Sequence, residues 1–235
     1  MPGELASLVD VLRHRAAEQS NDTGYIFLPD RGGERSQLTY ADLYGRAQAV
    51  ALRLAQRGKR GDRAALLFPP GLDFVVAFFG CLLARVIAVP MMIPRRDSTR
   101  DASAAILADC GPRFAITCSD LIASARPDLT ERLSNARVEW LFADCPRGEP
   151  DHANGALSAV ERTDIAFLQY TSGSTSTPKG VIVSHDNLMR NLEMIRIAFG
   201  NTRQSTHVSW VPHYHDMGLI LGILQSLLRA VPALA

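Results

Sequence analysis

The sequence of 235 residues lacks several features that would point to particular classes of protein. Its net charge is only +1, so nothing in it favours nucleic acid or an anionic membrane surface as the main partner. The four cysteines, at positions 81, 110, 118 and 145, have no C-x-x-C spacing. We therefore predict a reduced, cytoplasmic protein whose cysteines fill the core.

A targeting segment and a long hydrophobic run are also missing. The first residues have no basic region followed by an apolar one, so we predict no signal peptide. The most apolar stretch, residues 217–228, has 12 residues and contains Gln225, whereas a bilayer span needs about 20. It predicts a buried helix and not an integral membrane protein. The sequence then ends at Ala235 without a polar tail or a helix cap, and we therefore expect that the sequence is truncated at this end.

What the sequence does contain is an alternation of strand-like and helical segments. Strands are predicted at residues 64–68, 86–89, 114–117 and 138–142, with helices at 74–83, around 106–107 and within 121–133. A strand, a crossover helix and a second strand of this length imply parallel pairing. We therefore predict an α/β fold, a layered parallel sheet with helices on its faces. Pro90 is expected to end the strand at 86–89.

Further elements flank this alternation. We predict a helix at 5–18, a strand at 25–28, a helix that begins at a capping box from Thr39 to Asp42, a helix capped by Ser184 or Asp186, and a strand at 206–211. Four apolar residues of the later helix repeat at helical spacing and are expected in the core: Leu188, Leu192, Ile195 and Phe199. The Gly- and Pro-containing residues 147–159 predict a connection, so we place one subdomain at 1–160 and the start of a second at 161–235.

The most distinctive stretch is residues 170–180, which packs hydroxyls, two glycines and a lysine between two strand-like runs at 165–170 and 181–184. Glycines let backbone N–H groups approach an anion, and hydroxyls and a lysine can bind phosphate oxygens. The alternative is a Ser/Thr-rich surface turn. It is not a Walker loop, because Pro178 precedes Lys179 and Gly180 follows it. A dinucleotide-type G-x-G-x-x-G after a strand is also missing.

This stretch resembles a known signature. Thr171-Ser-Gly-Ser-Thr-Ser-Thr-Pro-Lys179 is similar to the AMP-binding motif of the adenylate-forming superfamily, which includes acyl-CoA synthetases, fatty acyl-AMP ligases, nonribosomal adenylation domains and luciferases. Ser176 stands where glycine is commonest. The resemblance implies an ATP-binding loop made of these residues: Thr171, Ser172, Gly173, Ser174, Thr175, Thr177, Lys179 and Gly180.

A second cluster, residues 212–218, contains two histidines two positions apart. Such a pair can share one face of extended backbone and bind a metal, but Gly218 and Leu219 follow where a metal site would need a further ligand, so we predict none. A packed, hydrogen-bonded histidine is another reading, more for His213 than for His215. Contact with substrate is the third.

The second cluster makes the resemblance more specific. Trp210-Val-Pro-His-Tyr-His-Asp-Met-Gly-Leu219 resembles the matching motif of fatty acyl-AMP ligases, and so do residues 71–74, 78–81 and 88–90. One departure is Arg85, where that family often has glycine. The resemblance implies that a fatty acid reacts with Mg²⁺-bound ATP to give an acyl-adenylate. His215 and Lys179 would be the catalytic residues. The substrate would be bound by His215, Asp216, Met217 and Gly218.

The same resemblance has further implications. Members of the family are more than twice as long, so the chain is expected to lack the C-terminal domain and to be inactive or weakly active alone. The acceptor of the acyl group would be an acyl carrier protein or a polyketide or nonribosomal synthase. Two alternatives stay open: an acyl-CoA synthetase, and a non-catalytic protein that binds nucleotide or acyl groups.

Overall fold

Two β-sheets and the helices packed on them make up the described part of the chain. The computed structural model describes residues 5–94, 102–125, 129, 133, 138–144, 157–171, 178–202, 204–229 and 233–234. The strands are β1 (Thr23–Phe27), β2 (Ser36–Thr39), β3 (Arg63–Leu67), β4 (Ile87–Met91), β5 (Phe114–Thr117), β6 (Glu139–Phe142), β7 (Ile165–Thr171), β8 (Lys179–Ser184), β9 (His207–Val208) and β10 (Ala233–Leu234). The helices are α1 (Leu8–Glu18), α2 (Tyr40–Arg57), α3 (Leu72–Leu83), α4 (Ser103–Cys110), α5 (His185–Phe199) and α6 (Gln225–Arg229), with π-helical segments at Leu121–Ala125 and Met217–Leu224.

The larger sheet has six strands in the order β6-β5-β3-β4-β7-β8. All neighbours are parallel except β7 and β8, which pair antiparallel. The smaller sheet has the order β2-β1-β10-β9. This arrangement confirms the predicted layered α/β fold with a mostly parallel sheet. Because β4 and β7 pair across residue 160, one sheet joins both sides of the predicted boundary, and the division into two subdomains stays a prediction.

The buried core lies where α3 packs against the larger sheet. Every residue of α3 except Asp73 is buried, as its almost wholly apolar sequence predicts. Its aromatic rings continue into the sheet: Phe78 lies 5.8 Å from Phe167 of β7, measured between ring centroids. The helix starts follow the predicted caps, because Thr39 accepts a hydrogen bond from the N–H of Asp42 and Ser184 forms a capping box with Asn187.

Three expectations from the sequence are wrong in detail. Pro90 does not end its strand, because β4 continues to Met91 and Pro90 pairs in register with Leu66 of β3. The registered pair of β4 with β7 is at Ala88, before the proline, so the missing N–H of Pro90 costs little. The strand expected at 206–211 is only His207–Val208, which pairs with Ala233 and Leu234 of β10. Phe199 is 67% exposed, so only Leu188 and Leu192 of the α5 stripe are buried core.

The apolar stretch predicted as a buried helix is helical, with π geometry at its start. Leu219, Ile223, Leu224 and Leu227 are buried in the core. Among the residues that the structure describes, no helix is both long and apolar enough to cross a membrane. Of the predicted helix at 121–133, the structure describes a π-helical segment at Leu121–Ala125 and the single residues 129 and 133. Of the predicted connection at 147–159 it describes only residues 157–159.

An ion-pair network holds the start of β7 against the turn before β4. Asp164 is buried, and it accepts hydrogen bonds from Arg85 at 2.8 and 3.2 Å and from the backbone N–H of Glu161 at 3.0 Å. Arg60 lies 2.6 Å away as a second cation. Arg85 has φ of 57°, in the left-handed region that favours glycine, at a cost of about 1–2 kcal/mol. The ion pairs with Asp164 and Glu161 offset this cost, which explains how an arginine stands where the resembling family often has glycine.

Burial would raise the pKa of Asp164, but the hydrogen bonds from Arg85 and Glu161 outweigh it, so that the pKa lies below its usual value. A carboxyl whose folded pKa is depressed stabilises the fold above its unfolded pKa of about 3.9 and loses that contribution as the pH falls through its folded pKa.

We therefore expect Asp164→Asn to lower the free energy of unfolding at pH 7 by about 2 kcal/mol, because it leaves Arg85 without its buried partner. This is less than the roughly 3–5 kcal/mol lost when a fully buried pair is broken, because Arg85 keeps its ion pair with Glu161. Urea denaturation at pH 7 measures it. Asp186→Asn is the matched control, since Asp186 also pairs with two arginines but on the surface. Equal stability of the two variants would contradict this account.

Candidate active site

The candidate phosphate loop is the connection of an antiparallel hairpin. β7 and β8 pair at Tyr170 with Gly180 and at Thr171 with Lys179, immediately on either side of residues 172–177. This confirms the prediction that the loop joins two strands. The predicted loop residues Ser172, Gly173, Ser174, Thr175 and Thr177 lie outside the described residues.

The described ends of the hairpin are exposed. Thr171 and Lys179 both face solvent, and Lys179 makes no ion pair with any residue that the structure describes. A lysine that is not bound to a carboxylate of its own chain can bind an external anion without first breaking an ion pair.

Tyr170 fixes the base of the hairpin from one face. Its hydroxyl donates a hydrogen bond to the carboxylate of Asp109 in α4. Its ring lies against Gly180, where a Cβ would come within 2.9 Å of Tyr170 Cζ, so the close packing requires glycine. Burial, and after it the hydrogen bond to Asp109, raise the pKa of Tyr170 above its usual value, which keeps the hydroxyl protonated.

The second candidate motif, residues 212–218, forms a turn that leads into the π-helical segment. The N–H of His215 donates to Pro212 O at 3.0 Å, and the N–H of Leu219 donates to His215 O at 2.8 Å. Asp216 caps the segment by accepting from the N–H of Met217 at 2.7 Å. The side chains of His215, Asp216 and Met217 are exposed, whereas Gly218 is buried.

The two histidines of this turn have different environments. His213 is buried, and its ring stacks on Phe74 of α3 with centroids 4.1 Å apart. Burial lowers the pKa of His213 to about 4, so the ring is neutral near pH 7. His215 is exposed, and its ring contacts Tyr214 at a centroid distance of 4.9 Å. The packed reading therefore fits His213, and His215 is the histidine that a ligand can reach.

The hairpin and the histidine turn are joined by a hydrogen bond that the sequence analysis did not single out. Gln169 of β7 is buried, and its Nε2 donates to Tyr214 O at 2.9 Å. The one signal in the sequence for this contact was that Gln169 is a polar residue on the buried face of an apolar strand, the face that also carries Phe167. Such a residue needs a partner, but the pattern does not say which one.

Metal binding at the histidine turn would need several ligands that face one point. No group of three or more His, Cys, Asp or Glu side chains that could hold a metal occurs within the described ranges. His213, with its ring against Phe74, faces the core and not a shared site with His215.

The chain matches known proteins over almost its whole length. Residues 12–233 match the family model of AMP-binding enzymes. The medium-chain-fatty-acid–[acyl-carrier-protein] ligase JamA of Moorena producens is 36% identical over 97% of this chain and 39% of its own length. The long-chain-fatty-acid–AMP ligase FadD26 of Mycobacterium tuberculosis is 38% identical over 95% of this chain and 39% of its own length.

Solved structures agree with these relatives. The fatty acyl-adenylate ligase of Legionella pneumophila, in complex with acyl adenylate and pyrophosphate, is 36% identical and has a TM-score of 0.85. The match covers 97% of this chain and 39% of the ligase. The chain thus spans about two fifths of the length of the relatives it matches. Since the family model covers well over half of the sequence, this chain belongs to the family of AMP-binding enzymes.

Proposed function

We propose that this chain is the first part of an enzyme that activates a fatty acid with ATP, giving an acyl-adenylate and pyrophosphate. The observation that carries the proposal is its similarity to a ligase solved with that pair of products, at 36% identity and a TM-score of 0.85. In the proposed arrangement residues 1–160 form one subdomain, residues 161–235 begin a second, and the residues that complete the enzyme lie outside this chain.

In this reaction an oxygen of the fatty-acid carboxylate attacks the α-phosphorus of ATP. The bond from that phosphorus to the α,β-bridging oxygen breaks, and pyrophosphate leaves with its electron pair. Both reactants are anions, so the enzyme must offset phosphate charge and hold the carboxylate in line. We assign the β- and γ-phosphates to Thr171, Lys179 and Gly180, together with the loop residues Ser172, Gly173, Ser174, Thr175 and Thr177. Exposure of Lys179, the first residue of β8, supports this role.

We assign the reacting carboxylate and the α-phosphate to His215, as a hydrogen-bond donor. Its exposed ring, next to the exposed side chains of Asp216 and Met217, supports this role. Met217 and Gly218 would begin the acyl pocket together with Asp216. The apolar residues Leu219 and Ile223, which follow this motif, are buried among core residues.

The ATP of such enzymes carries Mg²⁺, which would offset phosphate charge. The described residues do not fit a protein-built site for this ion, because no cluster of three possible ligands occurs among them. Asp216 binds its neighbouring backbone N–H, and Asp109 binds Tyr170. Mg²⁺ commonly keeps several waters and binds substrate phosphates with one or two carboxylates.

The acceptor of the acyl group separates two versions of the proposal. The relative JamA is a ligase of acyl carrier protein, which favours transfer to a carrier protein or a polyketide or nonribosomal synthase. Another relative, FadD25 of Mycobacterium tuberculosis, is a putative fatty-acid–CoA ligase that is also 36% identical. We favour the carrier protein, since the motif at 210–219 resembles the AMP-ligase form. Free thiols at Cys81, Cys110 and Cys118 support a cytoplasmic location.

Mass spectrometry of the chain incubated with ATP, Mg²⁺, CoA and a medium-chain fatty acid tests the proposal. Acyl-AMP without acyl-CoA is the expected product of an AMP ligase, whereas acyl-CoA indicates the synthetase. A chain that binds nucleotide without forming either product favours a binding role, and the same assay on a protein extended past Ala235 then decides whether the missing residues are needed.

The lysines allow a matched test of the phosphate loop. The sequence has only two, Lys59 and Lys179, and both are exposed. We expect Lys179→Ala to weaken ATP binding at least tenfold, since it removes a charge from the phosphates, with an unchanged melting temperature. Isothermal titration with ATP measures the affinity, and Lys59→Ala should bind as the wild type does. The same affinity in both variants would remove Lys179 from the site.

The histidines allow a second matched test. We expect His215→Ala to slow acyl-adenylate formation by about a hundredfold while leaving the melting temperature within about 1 °C, because its ring is exposed. His213→Ala should instead lower the melting temperature by several degrees, because it opens a cavity against Phe74. Rapid-quench rates and thermal melts of both variants provide the measurements. A large loss of stability in His215→Ala would favour a packing role for this residue as well.

A further inference from the structure

A single buried side chain connects the two candidate motifs. Gln169 lies in β7 two residues before Thr171, which places it about 7 Å along the strand from the start of the phosphate loop. Only 6% of Gln169 is exposed. Its Nε2 donates to Tyr214 O at 2.9 Å, across 45 residues of sequence. A buried polar group is costly without a partner, so this contact fixes where the side chain points.

The acceptor of this bond belongs to the peptide unit that precedes His215. The carbonyl of Tyr214 and the N–H of His215 are two ends of one planar peptide. The N–H end donates to Pro212 O at 3.0 Å, and the carbonyl end accepts from Gln169. Both ends of the peptide are therefore held, and the backbone at His215 has a fixed orientation even though its ring is exposed.

The orientation of the Gln169 amide follows from chemistry. A carbonyl oxygen only accepts hydrogen bonds, so the NH₂ group of Gln169 must face Tyr214. The amide Oε1 then points away, and it is buried without a hydrogen-bond partner among the described residues. A hydrogen-bond donor is needed at this position, and an ionised carboxylate would repel the carbonyl.

The two faces of β7 are held by different contacts, and together these contacts fix the position of the Gln169 donor. Successive residues of a strand point to opposite faces, so Gln169 and Tyr170 face opposite sides of the sheet. Tyr170 binds Asp109 of α4 on one side, and Gln169 binds the histidine turn on the other. The pairing of Gln169 with Val181 continues this register into β8, which begins at Lys179.

We propose that Gln169 is a positioning residue that holds the peptide of His215 at a fixed distance from the phosphate-binding hairpin. The geometry of this link is given by the hydrogen bond of Gln169 to Tyr214 O. The role of the link in a reaction rests on the proposed adenylation function. In the reaction the carboxylate next to His215 and the phosphates next to Lys179 must meet in line. A rigid link between the two segments sets that separation before either substrate binds.

Hydrogen exchange of the ligand-free chain tests the link directly. Gln169→Met keeps the length and much of the volume of the side chain but removes the donor. We expect exchange of the His215 and Leu219 amides to rise about tenfold, with amides of β3 and β4 unchanged. Gln48→Met, at an exposed position of α2, is the control and should exchange as the wild type does. Unchanged exchange at 213–219, or an equal rise in β3 and β4, overturns the proposal.

A second variant separates the hydrogen bond from simple packing. In Gln169→Glu the introduced carboxyl is buried, which raises its pKa, and its protonated form can donate to Tyr214 O. We expect exchange at His215 to match the wild type at pH 5, where the carboxyl is protonated, and to exceed it about tenfold at pH 8. A ratio to wild type that is the same at both pH values contradicts a role for the donor.

Kinetics then connect the link to the reaction. For Gln169→Met we expect the KM for ATP to stay within about twofold, because the hairpin itself is intact, while kcat for acyl-adenylate formation falls about tenfold. Equal losses in both constants would indicate general damage and not positioning. If the wild type neither binds ATP nor forms acyl-adenylate, the proposed function fails, while the exchange measurements still decide whether Gln169 orders the His215 peptide.

Discussion

The pairing of β7 between β4 and β8 is the constraint on which the candidate site depends. Backbone hydrogen bonds to both neighbours fix the register of β7, and the register decides which face each side chain points to. A slip by one residue would turn Gln169 toward α4 and Tyr170 toward the histidine turn, and both anchoring hydrogen bonds would be lost. Strand pairing therefore sets the relative position of the two motifs.

The start of the same strand is held by ion pairs and not by a side-chain amide. Asp164 precedes β7, and its carboxylate holds Arg85 in a backbone conformation that an arginine rarely adopts. At this end of the strand the turn before β4 is tied to β7, and at the other end α4 and the histidine turn are tied to it. A strand held at both ends gives the exposed residues near Lys179 and His215 a rigid base.

The sequence predicted the features that depend on neighbouring residues. The parallel β3-α3-β4 unit, a helix cap at Ser184 or Asp186 and a candidate phosphate loop between two strands all follow from local patterns. It predicted less well the features that depend on distant partners. Whether Phe199 is buried depends on which other parts of the chain pack against α5, and it is exposed. The partner of Gln169 lies 45 residues away in the sequence. A polar residue in an apolar strand signals that a partner exists, but only the fold identifies Tyr214.

Gly218 has a consequence for how the motif at 210–219 can be used to compare related proteins. A Cβ at this position would lie 2.7 Å from Val211 O, against backbone that cannot give way, so any other residue would separate the π-helical segment from the turn that precedes it. Glycine is therefore imposed by backbone crowding, whatever acid an enzyme of this shape activates. A glycine found here in a related protein would therefore carry no information about substrate choice, and the exposed neighbouring positions 215–217 are where such information would be found.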